Sequence, residues 1–377
     1  MSLSRRKMLG LVGGGIVLAA GSAATAFVTT RTPTRALAPW DAAGSYDDPR
    51  LRALSYALLA PNPHNLQPWL AELRGEDTIV LTLDPNRRLP ATDPYSRQLV
   101  IGMGCFIELM VQAAAEDGFE TALEIFPEGD APGAPVAVAR LTPGGTPDPL
   151  FAAVMNRRSC KEPMDMTRPL SDAQVSEAVA NLGPELVTAG TADPEQVDAL
   201  RALTWDAWMI EATTEATWAE SVDLLRVGKA EINANPDGID LGSPMLEVLR
   251  RAGMMERDSL MDQNSQGYQG TVEAYRETFT ATPAFVWSVA SDNSRPTQIR
   301  AGRDWVRLNL QTTLMGLSLH PVSQALQEYP EMSDPYARIH EALAQPGQTV
   351  QMLGRLGYGP AIPRTPRWGV EAKLVNA

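Results

Sequence analysis

The sequence predicts an α+β fold whose two halves resemble each other. Residues 101–120 and 300–319 read as long apolar helices, and each contains two glycines fourteen residues apart. A strand-length apolar run follows each helix, at 136–141 and 350–359, and a further run lies at 284–289. Isolated strands among many helices favour α+β over a doubly wound parallel sheet. The alternative to duplication is coincidence, because buried helices commonly end in glycine.

Residues 1–37 predict an export signal and linker that precede the folded part. The stretch SRRKML at residues 4–9 is a twin-arginine pattern, and small residues at 24–26 supply a cleavage site. A dinucleotide fingerprint at the glycines of residues 10–15 is disfavoured because no strand precedes them. We expect export by the twin-arginine translocase to the periplasm or cell envelope. Cleavage of the segment and its retention as a membrane anchor both stay open.

The charge and composition of the chain indicate which classes of molecule it can bind. The chain has 377 residues, of which 44% are hydrophobic and 20% are charged, which is typical of a folded protein with about two domains. Its net charge of −13 makes nucleic acid and anionic membrane surfaces poor partners. The three histidines and two cysteines lack the spacing of a metal site. We therefore expect a small-molecule substrate, and a monomer or loose dimer.

The chain divides into a first half at residues 38–150 and a second half at 151–377. The second half contains a Trp-rich amphipathic segment after about residue 203, whose aromatic side chains are expected at a packing surface. It also contains a polar insertion at 229–245 with three turn-forming dipeptides. We expect this insertion to run over the surface as an extended loop or lid.

The segment APNPHNLQPW at residues 60–69, here called the proline loop, contains three prolines. Proline fixes φ and removes an amide donor, so the polar side chains between the prolines lose little entropy on ordering. His64, Asn65 and Gln67 are therefore candidates for binding a ligand. The alternative is a connection between elements, in which the amide side chains satisfy local backbone groups.

A run of cations with one hydroxyl lies at residues 155–164. Its polar members, here called the cradle, are Arg157, Arg158, Ser159 and Lys161. Guanidinium forks and a short hydroxyl donor suit the oxygens of a phosphate. A second proline-stiffened loop near the C-terminus, PRTPRWG, adds Arg364 and Arg367, so that a phosphate can be met from two sides. The alternative is a solvated charged turn.

Three segments resemble motifs of the nitroreductase superfamily. The proline loop is similar to the family's P-S-x-x-N-x-Q-P-W segment, RRSCK to its R-x-S-x-K/R phosphate motif, and GRLGYGPAIPRTPRW to its closing strand and terminal arginine. The resemblance covers residues 50–370 approximately. With the export signal and tandem layout, the order of the motifs most resembles FMN-binding nitroreductase-like proteins in which one chain folds like the usual homodimer.

The resemblance implies an FMN cofactor between the two halves. It assigns the phosphate to Arg157, Arg158, Ser159, Lys161 and Arg367. It assigns the flavin ring and ribityl chain to Pro63, His64, Asn65, Gln67, His320 and Pro321. Pro63 and His64 stand where the family usually has small polar residues. His64 and His320 are also candidates to supply a proton, the alternative being structural histidines.

The cradle occurs only in the second half and the proline loop only in the first, which predicts one FMN per chain. The leading function is an exported FMN-dependent oxidoreductase that passes hydride to a small electron-poor acceptor. The electron donor stays open, because an exported protein meets no pool of free NADH or NADPH. The alternative is a non-catalytic protein that holds or sequesters FMN behind an occluded substrate face.

Overall fold

The computed structural model describes residues 31–180, 182–183, 186–253 and 257–375. The predicted twin-arginine pattern at residues 4–9 lies outside these residues. The described helices are α1 Thr34–Ala42, α2 Pro49–Ala57, α3 Arg97–Glu116, α4 Asp172–Ala178, α5 Pro194–Thr213, α6 Glu215–Asp223, α7 Gly228–Ala234, α8 Pro244–Arg251, α9 Arg257–Met261, α10 Gln266–Thr280, α11 Arg295–Leu314 and α12 Ser333–Leu343. The described strands are β1 Trp69–Arg74, β2 Thr78–Leu83, β3 Phe119–Ile125, β4 Ala137–Pro143, β5 Val187–Thr191, β6 Leu225–Val227, β7 Ile239–Leu241, β8 Ala284–Ala290, β9 Ser318–Pro321 and β10 Thr349–Gly357.

Two four-stranded antiparallel sheets organise the fold. The first has the strand order β1-β2-β4-β3 and the second has the order β5-β8-β10-β9. In each sheet two strands precede a long helix and two follow it. The last strand of each set then lies beside the second. The two sheets therefore share one topology, and the predicted α+β class is confirmed. The strands predicted at 136–141, 284–289 and 350–359 correspond to β4, β8 and β10.

Helices α3 and α11 cross at the centre of the molecule, where glycine lets their backbones touch. A Cβ atom added to Gly302 would lie 1.9 Å from the carbonyl oxygen of Ile101, and one added to Gly104 would lie 2.2 Å from that of Ile299. The contact is reciprocal, since each glycine faces the backbone of the other helix. Only a residue without a side chain fits at this crossing.

Both central helices stop at the predicted glycines. Gly118 has a φ of 79° and Gly316 a φ of 70°, the left-handed geometry that commonly ends a helix. Each helix begins about one turn earlier than predicted, at Arg97 and at Arg295. Of the described helices, α3 is long and apolar enough to cross a membrane by length and composition, but 83% of its apolar window is buried inside the protein.

Buried apolar side chains form a large core shared by both halves and a further core in the second half. The shared core includes Trp69 and Phe106 from the first half and Trp305 from the second. The further core contains the predicted Trp-rich segment, in which the nearly buried Trp208 stacks on Trp205 with ring centroids 5.3 Å apart. The predicted aromatic packing surface is confirmed.

The C-terminal residues return to the first half. The amide of Val375 donates to the carbonyl of Ala71 at 2.8 Å, and Leu374 forms a parallel bridge with Ala71. Lys373 is buried, and its Nζ donates to the carbonyl of Gln67 at 2.6 Å. The end of the chain therefore completes both the edge of the first sheet and the backbone of the proline loop.

The predicted extended loop at residues 229–245 is wrong in its local structure. Most of its first part lies in α7, and Ile239–Leu241 forms β7, which pairs in parallel with β6. The residues between α7 and β7 include Pro236, Asp237 and Gly238, and all three are buried. The insertion is therefore folded, and part of it faces the protein rather than solvent.

Candidate functional site

The proline loop has a strained backbone. His64, Asn65 and Gln67 have φ angles of 47°, 53° and 51°. Each non-glycine residue in this left-handed region costs about 1–3 kcal/mol, which surrounding contacts must offset. Residues Pro63–Asn65 make a single 3-10 turn. Strained backbone of this kind clusters at ligand sites, which favours a binding role for the loop.

Both polar atoms of the Gln67 side chain bond to the protein, and its contact with a cofactor stays a prediction. Its side chain is fully buried. Its Nε2 donates to the carbonyl of Pro236 at 2.7 Å, and its Oε1 accepts from the amide of Trp368 at 2.9 Å. The amide of Gly238 also donates to the carbonyl of Asn65 at 3.3 Å. Gln67 therefore joins the proline loop to the insertion and to the C-terminal loop.

Asn65 and Arg367 bond to each other, and the contact of Asn65 with a cofactor likewise stays a prediction. Arg367 is buried and donates to Oδ1 of Asn65, while Nδ2 of Asn65 donates to the carbonyl of Pro366 at 3.2 Å. Arg367 also donates to the carbonyls of Leu59 at 3.3 Å and Ala60 at 3.1 Å. Burial, together with the nearby Arg157, lowers the pKa of Arg367 to about 9.

Arg157 brings the cradle into contact with the proline loop. It is buried, and its Nη2 donates at 2.8 Å to the carbonyl of Leu59, the same oxygen that Arg367 contacts. Its Nη1 donates to Oδ1 of Asn309 at 2.9 Å. Burial lowers the pKa of Arg157 to about 10. The two predicted motifs, one from each half, therefore lie together.

Arg158 lies over an aromatic ring beside the cradle. Its guanidinium carbon is 4.6 Å from the ring centroid of Trp40, and that of Arg364 is 5.6 Å from the same ring. Nη1 of Arg158 donates to the carbonyl of Arg157 at 2.7 Å. Arg364 pairs with Asp41 at 2.6 Å, whereas Arg158 has no carboxylate partner among the described residues.

Three arginines of this region carry positive charge that no ion pair neutralises. Arg157, Arg158 and Arg367 form no ion pair with a described carboxylate, and the Nε atom of each is buried without a hydrogen-bond partner. Burying a cation without a counter-charge costs several kcal/mol. An unpartnered buried donor adds a further penalty, which a bound anion would offset. The arrangement therefore suits a phosphate.

Three further polar side chains have no hydrogen-bond partner among the described residues: Ser159, Lys161 and His64. Nε2 of His320 is also unpartnered there, whereas its Nδ1 contacts Arg355. Lys161 is exposed, and Ser159 and His64 are partly exposed. Burial among protein atoms and the nearby Lys161 ammonium lower the pKa of His64 to about 4. The charge of Lys161 also acts on His320. The predicted residues with free hydrogen-bonding groups therefore converge around Lys161.

Arg355 is a site residue that the sequence analysis missed. His320 on β9 lies opposite Arg355 on β10, and Nη1 of Arg355 contacts Nδ1 of His320 at 2.8 Å. Arg355 is fully buried, which lowers its pKa to about 10. Pro321, the next residue of β9, is partly exposed beside His320. A lone charged residue within the apolar run VQMLGRLGYG was the available signal, because a buried arginine needs partners.

Asp240 is a second site residue that the sequence analysis missed. It lies on β7 of the insertion, paired in register with Arg226. Burial among protein atoms raises the pKa of its carboxyl, and the charges of Lys161 and Arg367 act against that rise. Part of the residue reaches solvent, and its carboxyl accepts a hydrogen bond from its own backbone amide. The insertion thus places a carboxylate beside the cationic groups.

A groove of about 550 Å³ lies elsewhere, at the start of α11. Its lining residues include Tyr95, Phe126 and Arg295. The groove contains no residue of the proline loop or the cradle. It is therefore separate from the candidate site, which the proline loop, the cradle, β9 and β7 form.

Comparison with known proteins gives one sequence relationship. No family model matches the chain. The chain is 37% identical over 82 residues to a curated protein of two Mycobacterium tuberculosis strains whose provisional name is NAD(P)H nitroreductase acg. The match covers 21% of this chain and 24% of the relative, so the chain spans about a quarter of the length of the curated relatives it matches.

Solved structures of nitroreductases show a weaker likeness. The FMN- and NADPH-dependent nitroreductase NfnB of Sphingopyxis sp. strain HMH is 14% identical, with a TM-score of 0.38, over 59% of this chain and 96% of that one. NfnB of Mycobacterium smegmatis is 17% identical, with a TM-score of 0.35, over 59% and 95%. A nitroreductase-type protein of Anabaena variabilis is 12% identical, with a TM-score of 0.36, over 75% and 69%. Values this low carry no conclusion about a ligand of this chain.

The sequence relationship concerns the same kind of protein that the motifs resemble. The proline loop, the cradle and the closing strand resemble the superfamily in the first, second and last parts of the chain. A curated nitroreductase-named protein matches part of the same chain at 37% identity. The predicted resemblance to nitroreductases is therefore confirmed as a partial sequence relationship, which covers 21% of this chain.

Proposed function

We propose that this chain is an exported, FMN-binding, nitroreductase-like oxidoreductase that acts on a small electron-poor substrate. The observation that carries the proposal is the convergence of unpartnered polar groups from the proline loop, the cradle and β9 beside buried arginines that lack counter-ions. The α+β fold and the partial relationship to a nitroreductase-named protein agree with it.

The residues of the site fit an FMN phosphate better than they fit a neutral ligand. Ser159 and Lys161 offer donors that no described residue uses, and Arg157, Arg158 and Arg367 supply excess positive charge. These five residues would hold the phosphate. His64 and His320, flanked by Pro63 and Pro321, would border the flavin ring. When bound, FMN supplies hydride transfer to and from its ring.

The protein's own contribution would be positioning and electrostatics. Arg157 and Arg367 share the carbonyl of Leu59, so they fix the strained proline loop relative to the cradle. Lys161 and the buried guanidiniums would stabilise negative charge on a ligand in a site that surrounding protein partly shields from water. Asn65 and Gln67 would support this arrangement from behind the loop.

The repeated topology supports a tandem arrangement, in which one chain reproduces the family homodimer. Residues 38–150 and 151–377 would form the two nitroreductase-like halves, after a signal and linker at residues 1–37. The two sheets have the same strand order, and α3 and α11 meet at equivalent glycines. The cradle comes from one half and the proline loop from the other, so we propose one FMN site per chain.

A second candidate function is a non-catalytic protein that binds or sequesters FMN. The insertion favours this alternative. Its buried residues Pro236 and Gly238 bond to the proline loop, and its Asp240 places negative charge beside the cradle. A folded cover of this kind would hinder a substrate from stacking on a bound flavin.

Export completes the proposal. The twin-arginine pattern at residues 4–9 supports a route through the twin-arginine translocase, which carries folded proteins, and a final place in the periplasm or cell envelope. Membrane attachment would then come only from a retained signal segment.

The experiment that tests the proposal is a titration of the purified full chain with FMN, with riboflavin as the phosphate-free control. We expect FMN to bind with quenched fluorescence and riboflavin to bind more weakly. Dithionite or a reduced nicotinamide should then bleach the flavin, and a nitro compound should restore its absorbance. Reduction without reoxidation by any acceptor would favour the sequestering function. Equal binding of FMN and riboflavin would contradict the phosphate site.

A further inference from the structure

The side chain of His320 is held by a buried arginine and not by a carboxylate. Nη1 of Arg355 lies 2.8 Å from Nδ1 of His320, and the two residues are opposite each other on neighbouring antiparallel strands. A guanidinium has only donors, because all its polar hydrogens lie on nitrogen and no lone pair is available. Nδ1 of His320 must therefore be the acceptor, which leaves the ring proton on Nε2.

Arg355 is itself fixed in place. It is fully buried, and its Nε donates to Oγ1 of Thr282 at 2.6 Å. Its Nη2 donates to the carbonyl of Ala281 at 3.0 Å and to that of Glu162 at 3.3 Å. Four partners from three parts of the chain hold the guanidinium, so it cannot turn away when His320 changes its protonation state.

The charges around His320 oppose a second proton. Arg355 acts from β10 and Lys161 acts from the cradle, and both are cations. His64 on the proline loop lies near the same Lys161 and is uncharged at neutral pH, with a pKa of about 4. Burial and these cations hold the pKa of His320 well below its ordinary value. Asp240, the carboxylate on β7, is near Lys161 and Arg367 but is not among the charges that act on His320.

We infer that Arg355 is a positioning residue that keeps His320 as a neutral imidazole with its proton on Nε2. His320 then offers a ligand one N–H donor and does not act as a proton-donating acid at neutral pH. The ligand atom that it recognises is a hydrogen-bond acceptor, such as a carbonyl oxygen or an unprotonated ring nitrogen. This last step rests on the proposed FMN site, whereas the proton position does not.

The chain contains its own control for the proton position. His340 contacts the carbonyl of Tyr336 through Nδ1 at 2.8 Å. A carbonyl can only accept, so a neutral His340 must carry its proton on Nδ1. The chain has three histidines in all, so His64, His320 and His340 can be assigned by single substitutions to glutamine. The two histidines that contact backbone or arginine should show opposite tautomers in one spectrum.

The test is nitrogen NMR of the full chain labelled with 15N-histidine, without ligand, from pH 5 to pH 9. We expect His320 to show a protonated Nε2 and an unprotonated Nδ1 throughout, and His340 to show the reverse at neutral pH. An imidazolium at neutral pH, or a proton on Nδ1 of His320, would overturn the inference. Arg355→Lys should keep the proton on Nε2 alone, because lysine also only donates, and Arg355→Met should let Nδ1 carry the proton in a part of the molecules and raise the pKa of His320. If Arg355→Met does not fold, the wild-type spectrum alone decides the proton position.

Adding FMN then tests the ligand contact separately. We expect the Nε2 resonance of His320 to shift while that of His340 stays unchanged. Bound FMN, seen by its quenched fluorescence, with no change at His320 would overturn the contact. Failure of FMN to bind at all would overturn the proposed function, while the ligand-free spectrum would still decide the position of the proton.

Discussion

At the scale of single residues, the site separates into groups that hold the protein and groups that face outward. Hydrogen bonds to backbone groups and to one another occupy the side chains of Gln67, Asn65 and Arg367. The side chains of Lys161 and Ser159 form no hydrogen bond with a described residue. Substitutions at these two kinds of position should therefore have different effects, the first on stability and the second on ligand binding.

Lys161→Ala should weaken FMN binding about tenfold or more, since a charge-assisted hydrogen bond contributes about 1.5–3 kcal/mol. Its thermal stability should stay within about 0.5 kcal/mol of the wild type, because the side chain is exposed and has no described hydrogen-bond partner. Fluorescence titration and thermal unfolding measure the two quantities. Arg140→Ala, which removes an exposed cation on β4 of the first sheet, is the matched control. Equal FMN affinity in both variants would contradict the phosphate assignment.

Asp240→Asn should strengthen FMN binding several-fold, because the variant removes a negative charge that lies beside the phosphate-binding cations. Riboflavin, which lacks the phosphate, should bind equally to the wild type and the variant. Side-by-side titrations with the two flavins provide the measurement, and Asp334→Asn on α12 is the control for a change in net charge. An equal gain for both flavins would show that Asp240 acts on something other than the phosphate.

At the scale of secondary-structure elements, the sequence predicted what depends on local pattern. The central helices were found because apolar residues repeat at helical spacing and a glycine ends each helix. The fold of the insertion was not predicted, because β6 and β7 have three residues each and form only by pairing with each other. Three residues are too few to show a strand period. The partners of the proline loop were missed for the same reason, since they come from residues 170 to 300 positions away.

Gly302→Ala should destabilise the protein by about 1–3 kcal/mol or more, because its Cβ would lie 1.9 Å from the carbonyl oxygen of Ile101 at the helix crossing. Gly270→Ala is the control, since a Cβ there meets nothing within 4 Å. That variant should be neutral or stabilised by up to about 1 kcal/mol, as alanine favours a helix. Urea unfolding compares the two. A small loss at Gly302 would mean that the helices do not touch at this residue.

Glu211 on α5 should make the free energy of unfolding depend on pH. Burial raises its pKa to about 7, and its Oε2 accepts from Nε2 of Gln327 at 2.7 Å. A carboxyl whose pKa is raised on folding contributes stability below its ordinary pKa and loses that contribution as the pH rises through 7. Glu211→Gln should therefore flatten the decline in unfolding free energy between pH 5 and pH 8. The exposed Glu341→Gln should leave the decline unchanged, and a flat profile in the wild type would refute the assignment.

At the scale of the whole molecule, the two halves share a core, and each contributes a different motif to the candidate site. Both sheets have the same strand order, and both central helices meet at glycine. The cradle and the proline loop occur once each, in different halves. The sequence predicted this pairing from motif order. It could not predict that the amides of the proline loop face the protein, since that depends on the C-terminal loop and the insertion.

The full chain should bind one FMN per chain, because only one pairing of cradle and proline loop exists. FMN at one hundred times its Kd should also raise the unfolding free energy by about 2.7 kcal/mol. Equilibrium titration at protein concentrations above Kd gives the stoichiometry, and thermal unfolding with and without FMN gives the stabilisation. Riboflavin at the same concentration should stabilise less. A ratio near two would mean that the first half carries a site that its sequence does not reveal.

The return of the C-terminal residues to the first half has a consequence for synthesis. Lys373 and Val375 supply hydrogen bonds to Gln67 and Ala71, so the first half cannot close until residues 373–375 have left the ribosome. A nascent chain arrested before residue 373 would leave strand β1 and the proline loop without these hydrogen bonds.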